Sequence, residues 1–285
     1  MEPFELSIYK HYFELASFPS LESISQNISF DVLLERYDAF FFDAFGTLYN
    51  HKHYIYPNAQ EMFKRVREKG KIVRLITNAA SQPIPKLMED LHAMGFHFER
   101  DEIFSSGELL TSVNQKLKIT EAFYVGYPAG TAFLTTAGIS VQENPKENVV
   151  VISAAVEETA IYSKALEILK RPGGHLIVLN PDAWAPRIEG PRVPVSGAYA
   201  HRLKIESNCK ATYCGKPFPE LFLRAIKSLP PNTRTVMIGD TLATDIGGAL
   251  YAGIDAALIV GRNMDKETLA GDEISLRVRP TYYLV

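Results

Sequence analysis

Four short stretches of the sequence contain side chains whose types could act together on one substrate. In chain order they are FFFDAFGTLYN with Asp43, LITNAASQP with Thr77, CGKPFPELF with Lys216, and VMIGDTLATDIGG with Asp240 and Asp245. Each residue alone is weak evidence, because an acid that follows a strand is often a helix cap or a turn former. As a set of one hydroxyl, one lysine and three acids, they indicate phosphoryl transfer.

The chemistry of each side chain suggests its role. A carboxylate such as Asp43 can attack a phosphoryl group directly. Thr77 and the backbone amides around Gly46 can donate hydrogen bonds to phosphate oxygens. Lys216 can neutralise negative charge on the nucleophile and the phosphate. The two remaining acids suit Mg²⁺, which prefers oxygen ligands.

Alternating strands and helices must position these residues. The apolar pattern predicts strands over 39–42, 71–76 and 102–104, with helices over 58–69 and 86–94 between them. The same pattern returns as a helix over 220–227, a strand over 235–238 and a helix over 244–252. Such alternation favours a parallel sheet with right-handed crossovers. Ligands of such sheets bind beyond the carboxyl ends of the strands, where Asp43 and Thr77 are expected.

A middle block has strands and helices of its own. Strands are predicted over 122–125, 149–152 and 176–179 and a helix over 161–169, before a Pro/Gly-rich exit over 186–197. We interpret residues 113–208 as a domain inserted into a core formed by residues 1–112 and 209–285. Residues 1–36 of that core are expected to be a helical extension with a break around 18–20.

Composition excludes some functions. The net charge is −3 with 46% hydrophobic and 22% charged residues, so there is no electrostatic case for nucleic-acid binding. The most apolar runs are far shorter than the roughly 20 residues that span a bilayer. Since the first residues also lack a signal-peptide pattern, a cytoplasmic protein without a membrane partner is expected. The two cysteines, Cys209 and Cys214, are interpreted as ordinary thiols.

In order and context, the four stretches resemble the four motifs of the haloacid dehalogenase (HAD) superfamily. The middle block, with Asn180-Pro181-Asp182 and Gly197-Ala198, resembles the class IIA cap of NagD-type sugar and nucleotide phosphatases, p-nitrophenyl phosphatases and pyridoxal phosphatase. The resemblance implies an α/β fold, in which a Rossmann-like parallel-sheet core contains an inserted α/β cap. It also implies Mg²⁺-dependent hydrolysis of a small phosphorylated metabolite and a homodimer formed through the cap.

The resemblance further implies a role for each matching position. The nucleophile is Asp43, the phosphate-binding residue is Thr77 with Asn78 beside it, the lysine of the third motif is Lys216, and the metal ligands are Asp43, Asp240, Asp245 and the backbone carbonyl of Phe45. Hydrolysis would then proceed through an aspartyl-phosphate on Asp43.

Phe45 departs from the pattern of the family. The phosphatases of this family have a second aspartate at the position of Phe45, which protonates the leaving oxygen and then activates water. A phenyl ring can do neither, and the loss of a positioned acid/base costs about 10²–10⁴-fold in rate. Metal binding through the backbone carbonyl is unaffected by the change. The candidates for a relocated proton-transfer group are His51, His53 and Asp182.

Two other functions stay open at this point. One is a catalytically weak or inactive HAD-like protein that binds phosphate or a regulatory partner. The other resembles the 2-haloacid dehalogenases, which have an aromatic residue at the position of Phe45. Those enzymes need no metal, however, and have a small helical cap near the first motif.

Overall fold

The computed structural model describes residues 1–20, 25–156, 158–264 and 266–285. The strands within these ranges are β1 (Gln26–Ile28), β2 (Ala39–Phe42), β3 (Tyr49–Asn50), β4 (Tyr54–Ile55), β5 (Ile72–Thr77), β6 (Ile103–Ser105), β7 (Glu121–Val125), β8 (Ser140–Val141), β9 (Val149–Ile152), β10 (His175–Val178), β11 (Trp184–Ala185), β12 (Val193–Pro194), β13 (Lys210–Tyr213), β14 (Thr235–Gly239), β15 (Asp255–Ile259) and β16 (Tyr282–Leu284).

The α-helices of the same ranges are α1 (Pro3–Leu15), α2 (Phe30–Arg36), α3 (Ala59–Glu68), α4 (Ile84–Ala93), α5 (Leu109–Leu117), α6 (Thr131–Thr136), α7 (Thr159–Leu169), α8 (Ser196–Ser207), α9 (Glu220–Lys227), α10 (Gly248–Tyr251) and α11 (Leu269–Leu276). No helix in the described ranges has both the length and the apolar character needed to cross a bilayer.

A seven-stranded sheet, with the order β1-β16-β15-β14-β2-β5-β6, forms the larger layer. All of its neighbouring strands are parallel. The β2 side chains Phe40, Phe41 and Phe42 are completely buried, as expected for a strand covered on both faces. The prediction of a parallel α/β core is therefore confirmed. Because β5, β2 and β14 are neighbours, the residues that follow them meet at one edge.

A second parallel sheet, with the order β13-β10-β9-β7-β8, lies between the two parts of the core sequence. It extends from Glu121 to Tyr213, and we call residues 121–213 the inserted segment. Lys210–Tyr213 is its edge strand, so the predicted boundary at residue 208 separates one strand from its own sheet. Cys209 and Cys214, on either side of this strand, are free and buried.

The two faces of the second sheet pack against different parts of the protein. From β9, Val149 and Val151 join the main hydrophobic cluster, which also contains the core of the large sheet. Val150 and Ile152 face the other way and pack with residues of α7 and α8, such as Ile168 and Leu203. The inserted segment is thus held to the core by a continuous apolar contact.

The N-terminal region differs from the predicted helical extension. Residues 3–15 and 30–36 are helical, but Gln26–Ile28 forms the edge strand β1, which pairs with β16 at the C-terminus. Helix α1 contacts both α8 of the inserted segment and α11 of the core. Helix α1 therefore bridges the core and the inserted segment, an arrangement that only the tertiary structure reveals.

The helix predicted over 244–252 is also different in detail. Leu242–Gly247 forms a π-helical turn, and the α-helix α10 begins only at Gly248. A π turn changes the direction of the side chains on it and is frequent at functional sites. Here it contains Asp245.

Candidate active site

The centre of the site is a buried lysine between two carboxylates. The Nζ atom of Lys216 donates to Oδ1 of Asp43 at 2.5 Å and to Oδ1 of Asp245 at 2.6 Å. The Lys216 side chain is 2% exposed, so both of its ion pairs are protected from water. The three residues come from distant parts of the sequence, as the four-motif pattern predicted.

Adjacent strands place the remaining side chains. Asp43 follows β2, Thr77 is the last residue of β5, and Asp240 directly follows β14. Since these strands are parallel neighbours, the three side chains lie at the same edge of the sheet, and all three are buried. The structure thus brings together the predicted nucleophile, hydroxyl and acid.

Asp245 is fully hydrogen-bonded within the protein. Its Oδ1 accepts from Lys216, and its Oδ2 accepts from the backbone N–H groups of Asp240 and Thr241 at 3.2 and 3.1 Å. Asp245 therefore fixes both the lysine and the loop after β14, in addition to its place in the acidic cluster.

The donor set fits a metal ion. Asp43, Asp240 and Asp245 each offer a carboxylate oxygen, and these oxygens lie within 4.8 Å of one another. The Oδ2 atom of Asp240 is buried and has no hydrogen-bond partner in the described structure. One lysine cannot balance three buried carboxylates, and a hard divalent cation would supply the missing charge and the missing ligand contact.

The electrostatics of the cluster agree with this fit. Burial raises the pKa of Asp240 well above its usual value, and the charges of Asp43 and Asp245 raise it further. Burial also raises the pKa of Asp43, although the Lys216 ammonium opposes the shift. Burial disfavours the charged form of Lys216, but the neighbouring carboxylates outweigh it and raise the lysine pKa. Lys216 is therefore a permanent cation here.

Gly46 allows the loop after β2 to approach Asp240. Its φ angle is +97°, and a Cβ atom on it would lie 2.0 Å from Asp240 Oδ2. The Gly46 amide donates to the carbonyl of Tyr49 at 2.8 Å, so it is engaged within its own turn. In this structure Gly46 provides space and turn geometry, and its predicted role in phosphate binding stays a prediction.

Thr77 and Asn78 are used differently. The Thr77 hydroxyl accepts from the amide of Ala79 at 3.2 Å, which leaves its proton free to donate to a phosphate oxygen. The Asn78 side chain accepts from Lys216 N–H at 2.8 Å and donates to Lys216 O and Asp182 Oδ1 at 3.0 and 2.9 Å. Both amide protons of Asn78 are therefore engaged within the protein, and its side chain joins the loop of Lys216 to Asp182.

Asp182 enters the site from the inserted segment. Its carboxylate is partly buried, and burial raises the pKa of Asp182 to about 6, while Lys216 and the Asn78 hydrogen bond oppose the shift. Its charge in turn acts on Asp43. Asp182 is thus the predicted proton-transfer candidate that a hydrogen bond through Asn78 links to the loop of Lys216.

The two histidine candidates lie elsewhere. His51 and His53 form a 3₁₀ turn at the tip of the hairpin made by β3 and β4, and both are exposed. The charged groups that act on Asp43 are instead Lys216, Asp245 and Asp182. The Phe45 ring packs edge-on against Tyr49, with 5.8 Å between the ring centroids.

Sequence reasoning missed two positioning contacts. Arg262 is partly buried, with its guanidinium 4.2 Å from the Tyr56 ring centre and donating to the Thr47 carbonyl. Its position just beyond β15, at the same sheet edge, was a usable signal. Tyr9 of α1 accepts a hydrogen bond from the N–H of Ala183 at 3.1 Å. No pattern in the sequence indicates this contact.

Two family models match the chain. A model described as haloacid dehalogenase-like hydrolase matches residues 40–140, and a HAD-hydrolase-like model matches residues 213–284. The two ranges include every residue of the buried cluster around Lys216. Asp182 lies outside both.

Curated relatives extend over most of the chain. Haloacid dehalogenase-like hydrolase domain-containing protein 2 of Bos taurus is 30% identical over 220 residues, which are 76% of this chain and 82% of the relative. Chronophin of Mus musculus is 28% identical over 219 residues, which are 72% of this chain and 74% of the relative.

Solved structures share the whole architecture. A protein described as a possible sugar phosphatase of the HAD superfamily, from Cytophaga hutchinsonii, has a TM-score of 0.81 at 25% identity and covers 92% of this chain and 98% of its own. The 4-nitrophenylphosphatase of Thermotoga maritima has a TM-score of 0.73 at 26% identity, with coverages of 88% and 95%. These similarities include the inserted segment as well as the core.

Proposed function

The chain belongs to the haloacid dehalogenase-like hydrolases, and we propose that it is a Mg²⁺-dependent phosphatase that transfers a phosphoryl group to Asp43. The observation that supports this most strongly is the position of Lys216 between Asp43 and Asp245, beside the unpartnered oxygen of Asp240. A cation, a carboxylate nucleophile and an acidic metal ligand at one sheet edge are the parts that phosphoryl transfer requires.

The residues would share the reaction as follows. An Asp43 oxygen attacks phosphorus and forms the aspartyl-phosphate as the bond from phosphorus to the leaving oxygen breaks, while the Thr77 hydroxyl and Lys216 hold the phosphoryl oxygens. Water then attacks the aspartyl-phosphate, which releases inorganic phosphate and restores Asp43. Asp43, Asp240 and the backbone carbonyl of Phe45 would hold Mg²⁺, with Asp245 completing the acidic cluster. When bound, the ion would stabilise negative charge on the phosphoryl oxygens.

The proposed substrate is a small phosphorylated metabolite of the sugar phosphate, nucleotide or pyridoxal phosphate type. The support is the similarity to sugar and 4-nitrophenyl phosphatases, together with the contact that Asp182 of the inserted segment makes with Asn78 at the site. A site that is contacted by both the core and an inserted segment suits small molecules better than long polymers. We also propose a homodimer formed through the inserted segment, which light scattering would test.

A matched pair of variants tests the proposed function. Hydrolysis would be measured with Mg²⁺ and with EDTA against 4-nitrophenyl phosphate, a panel of metabolite phosphates and a 2-haloacid. Asp43→Asn should lower Mg²⁺-dependent kcat by about 10⁴-fold or more, because the nucleophile is lost. Asp38→Asn, which changes an exposed carboxylate paired with Arg234, should retain activity. Equal activity of Asp43→Asn and the unmodified protein would contradict the proposal.

Phe45 favours a second candidate, a HAD-like protein that binds phosphate with little or no turnover. Inactivity of the unmodified protein on the whole panel, with calorimetric binding of inorganic phosphate that Lys216→Gln abolishes, would support this candidate. Release of halide without Mg²⁺ would instead favour a hydrolase of the 2-haloacid dehalogenase type.

A further inference from the structure

Phe45 leaves one chemical requirement unmet on the core side of the site. Displacement at phosphorus is roughly in line, so the leaving oxygen lies opposite the attacking oxygen of Asp43. Asp43 follows β2 at the edge of the large sheet, and Asp182 of the inserted segment accepts a hydrogen bond from Asn78 at the same edge. A proton donor for the leaving oxygen is therefore expected on the side of the inserted segment.

Asp182 lies on that side and is held by a hydrogen bond to the core. Its Oδ1 accepts from Asn78 Nδ2 at 2.9 Å, and Asn78 is fixed in turn by both backbone groups of Lys216. Thr77, the proposed phosphate-binding residue, directly precedes Asn78. The Asp182 carboxylate is thus tied to the phosphate-binding edge of the sheet.

The loop that contains Asp182 is rigidly supported. The Asp182 N–H donates to Asn180 Oδ1 at 2.9 Å, and its carbonyl accepts from the N–H of Gly197 at 2.8 Å. A Cβ atom on Gly197 would lie 2.1 Å from the Pro181 carbonyl oxygen, so the close approach of α8 requires glycine here. Tyr9 of α1 accepts from the N–H of the next residue, Ala183. Contacts from α8 and α1 thus hold the backbone of this loop, which gives the preorganisation that proton transfer needs.

We propose that Asp182 is the catalytic acid and base of this site and replaces the carboxylate that Phe45 lacks; the inference rests on the proposed function. In the first step, Asp43 forms a bond to phosphorus and the bond from phosphorus to the leaving oxygen breaks. Protonated Asp182 gives its proton to that oxygen, and the alcohol leaves. In the second step, water attacks phosphorus, Asp182 accepts the proton of the water, and the bond to Asp43 breaks with release of inorganic phosphate.

The electrostatic surroundings support both halves of this cycle. Burial raises the pKa of Asp182 to about 6, near the pH at which the group must both give and accept a proton. The titratable groups that act on Asp182 or feel its charge are Lys216, Asp245 and Asp43 at the site and the hydroxyls of Tyr9 and Tyr12 on α1. Lys216 is the cation among them.

Tyr49 is a weaker candidate for the same role. Its side chain packs against Phe45, and burial together with the Asp43 charge raises the pKa of Tyr49 above its usual value. A phenol that resists ionisation in this way is a poor base for the second step. The exposed His51 and His53 lack the link to the phosphate-binding edge that Asp182 has.

Leaving-group dependence tests the inference, because 4-nitrophenolate leaves without a proton and an alkoxide does not. For Asp182→Asn, kcat/KM for an alkyl phosphate such as glycerol phosphate should fall by about 10²–10⁴-fold. The kcat/KM for 4-nitrophenyl phosphate should change little. A burst of one equivalent of 4-nitrophenol should precede slow turnover, since water attack on the aspartyl-phosphate also needs the base.

A second variant keeps the test falsifiable. Phe45→Asp placed in Asp182→Asn should restore alkyl phosphate kcat/KM by at least about tenfold, because it returns a carboxylate to the loop after the nucleophile. Equal losses for both substrates, no burst and no rescue would overturn the inference and assign Asp182 a merely structural role. An active protein unaffected by Asp182→Asn would overturn the inference alone. Failure of the unmodified protein to hydrolyse any phosphate ester would overturn the proposed function with it.

Discussion

On one side of the site, Asp43, Thr77 and Asp240 lie at the carboxyl ends of adjacent parallel strands. On the other side, Asp182 lies on a loop that distant segments hold in place. The core side depends on strand order and short-range spacing, so the positions of its residues are built into the sheet. The side of the inserted segment depends on contacts from α1 and α8. The difference indicates that the proposed phosphate and metal framework is separable from the group that we propose to move the proton.

Besides Asp43→Asn, a large effect is expected on the core side from Asp240→Asn. Mg²⁺-dependent activity should fall by more than about 10²-fold. Mutation of a residue that only hydrogen-bonds to a metal ligand already costs about 10–100-fold in metal affinity or activity, and Asp240 is itself a proposed ligand. The alkyl and 4-nitrophenyl phosphates should lose activity alike, unlike the pattern expected for Asp182→Asn. Steady-state kinetics with Mg²⁺ titration measures both.

Thermal unfolding gives Asp240→Asn a readout independent of turnover. Since burial and two neighbouring acids raise the pKa of Asp240, the stability contribution of its protonated form is lost as pH rises through the folded-state pKa. The metal-free variant should therefore be more stable than the unmodified protein at alkaline pH. Mg²⁺ at a hundredfold excess over Kd should stabilise the unmodified protein by about 2.7 kcal/mol and the variant much less. Equal stabilisation by Mg²⁺ would remove Asp240 from the metal ligands.

A smaller effect is expected on the side of the inserted segment, from Tyr9→Phe in α1, for which Tyr12→Phe in the same helix is the control. Tyr9→Phe removes the acceptor of the buried Ala183 N–H and should cost about 1–3 kcal/mol. Tyr12→Phe is the matched control, because the Tyr12 hydroxyl is buried without a partner in the described structure and its loss should be near neutral.

The same pair separates the two sides of the site. In Tyr9→Phe, kcat/KM for an alkyl phosphate should fall by less than about tenfold, through the loop that contains Asp182, while the Mg²⁺ affinity stays unchanged. Denaturant melts and Mg²⁺ titrations of both variants check this. A loss of Mg²⁺ affinity in Tyr9→Phe would show that the two sides are not separable.

The core side was largely predictable from sequence. Apolar runs such as 39–42 and 235–238 are strong strand signals, and residues at their ends must meet in a parallel sheet. The π turn at Leu242–Gly247 was not predicted, because its α-helical alternative has the same apolar periodicity.

The other side could not be predicted because tertiary contacts decide it. Strand β13 has the sequence KATY, which lacks an apolar run and becomes a strand only by pairing with β10. Helix α1 shows no signal for its contact with Ala183. The hydrogen bonds of Asn78 to Lys216 and to Asp182 join residues that are 138 and 104 positions apart, respectively. These contacts depend on how the two sheets pack, and the local sequence pattern does not encode that packing.

The most direct measurement is capture of the phosphorylated protein. The protein would be mixed with 4-nitrophenyl phosphate and Mg²⁺, quenched in acid within the first turnover and mapped by peptide mass spectrometry. The proposed mechanism predicts one acyl phosphate, on Asp43, which accumulates further in Asp182→Asn because water attack is slowed. Turnover without phosphate on Asp43, or phosphate on a different residue, would contradict it.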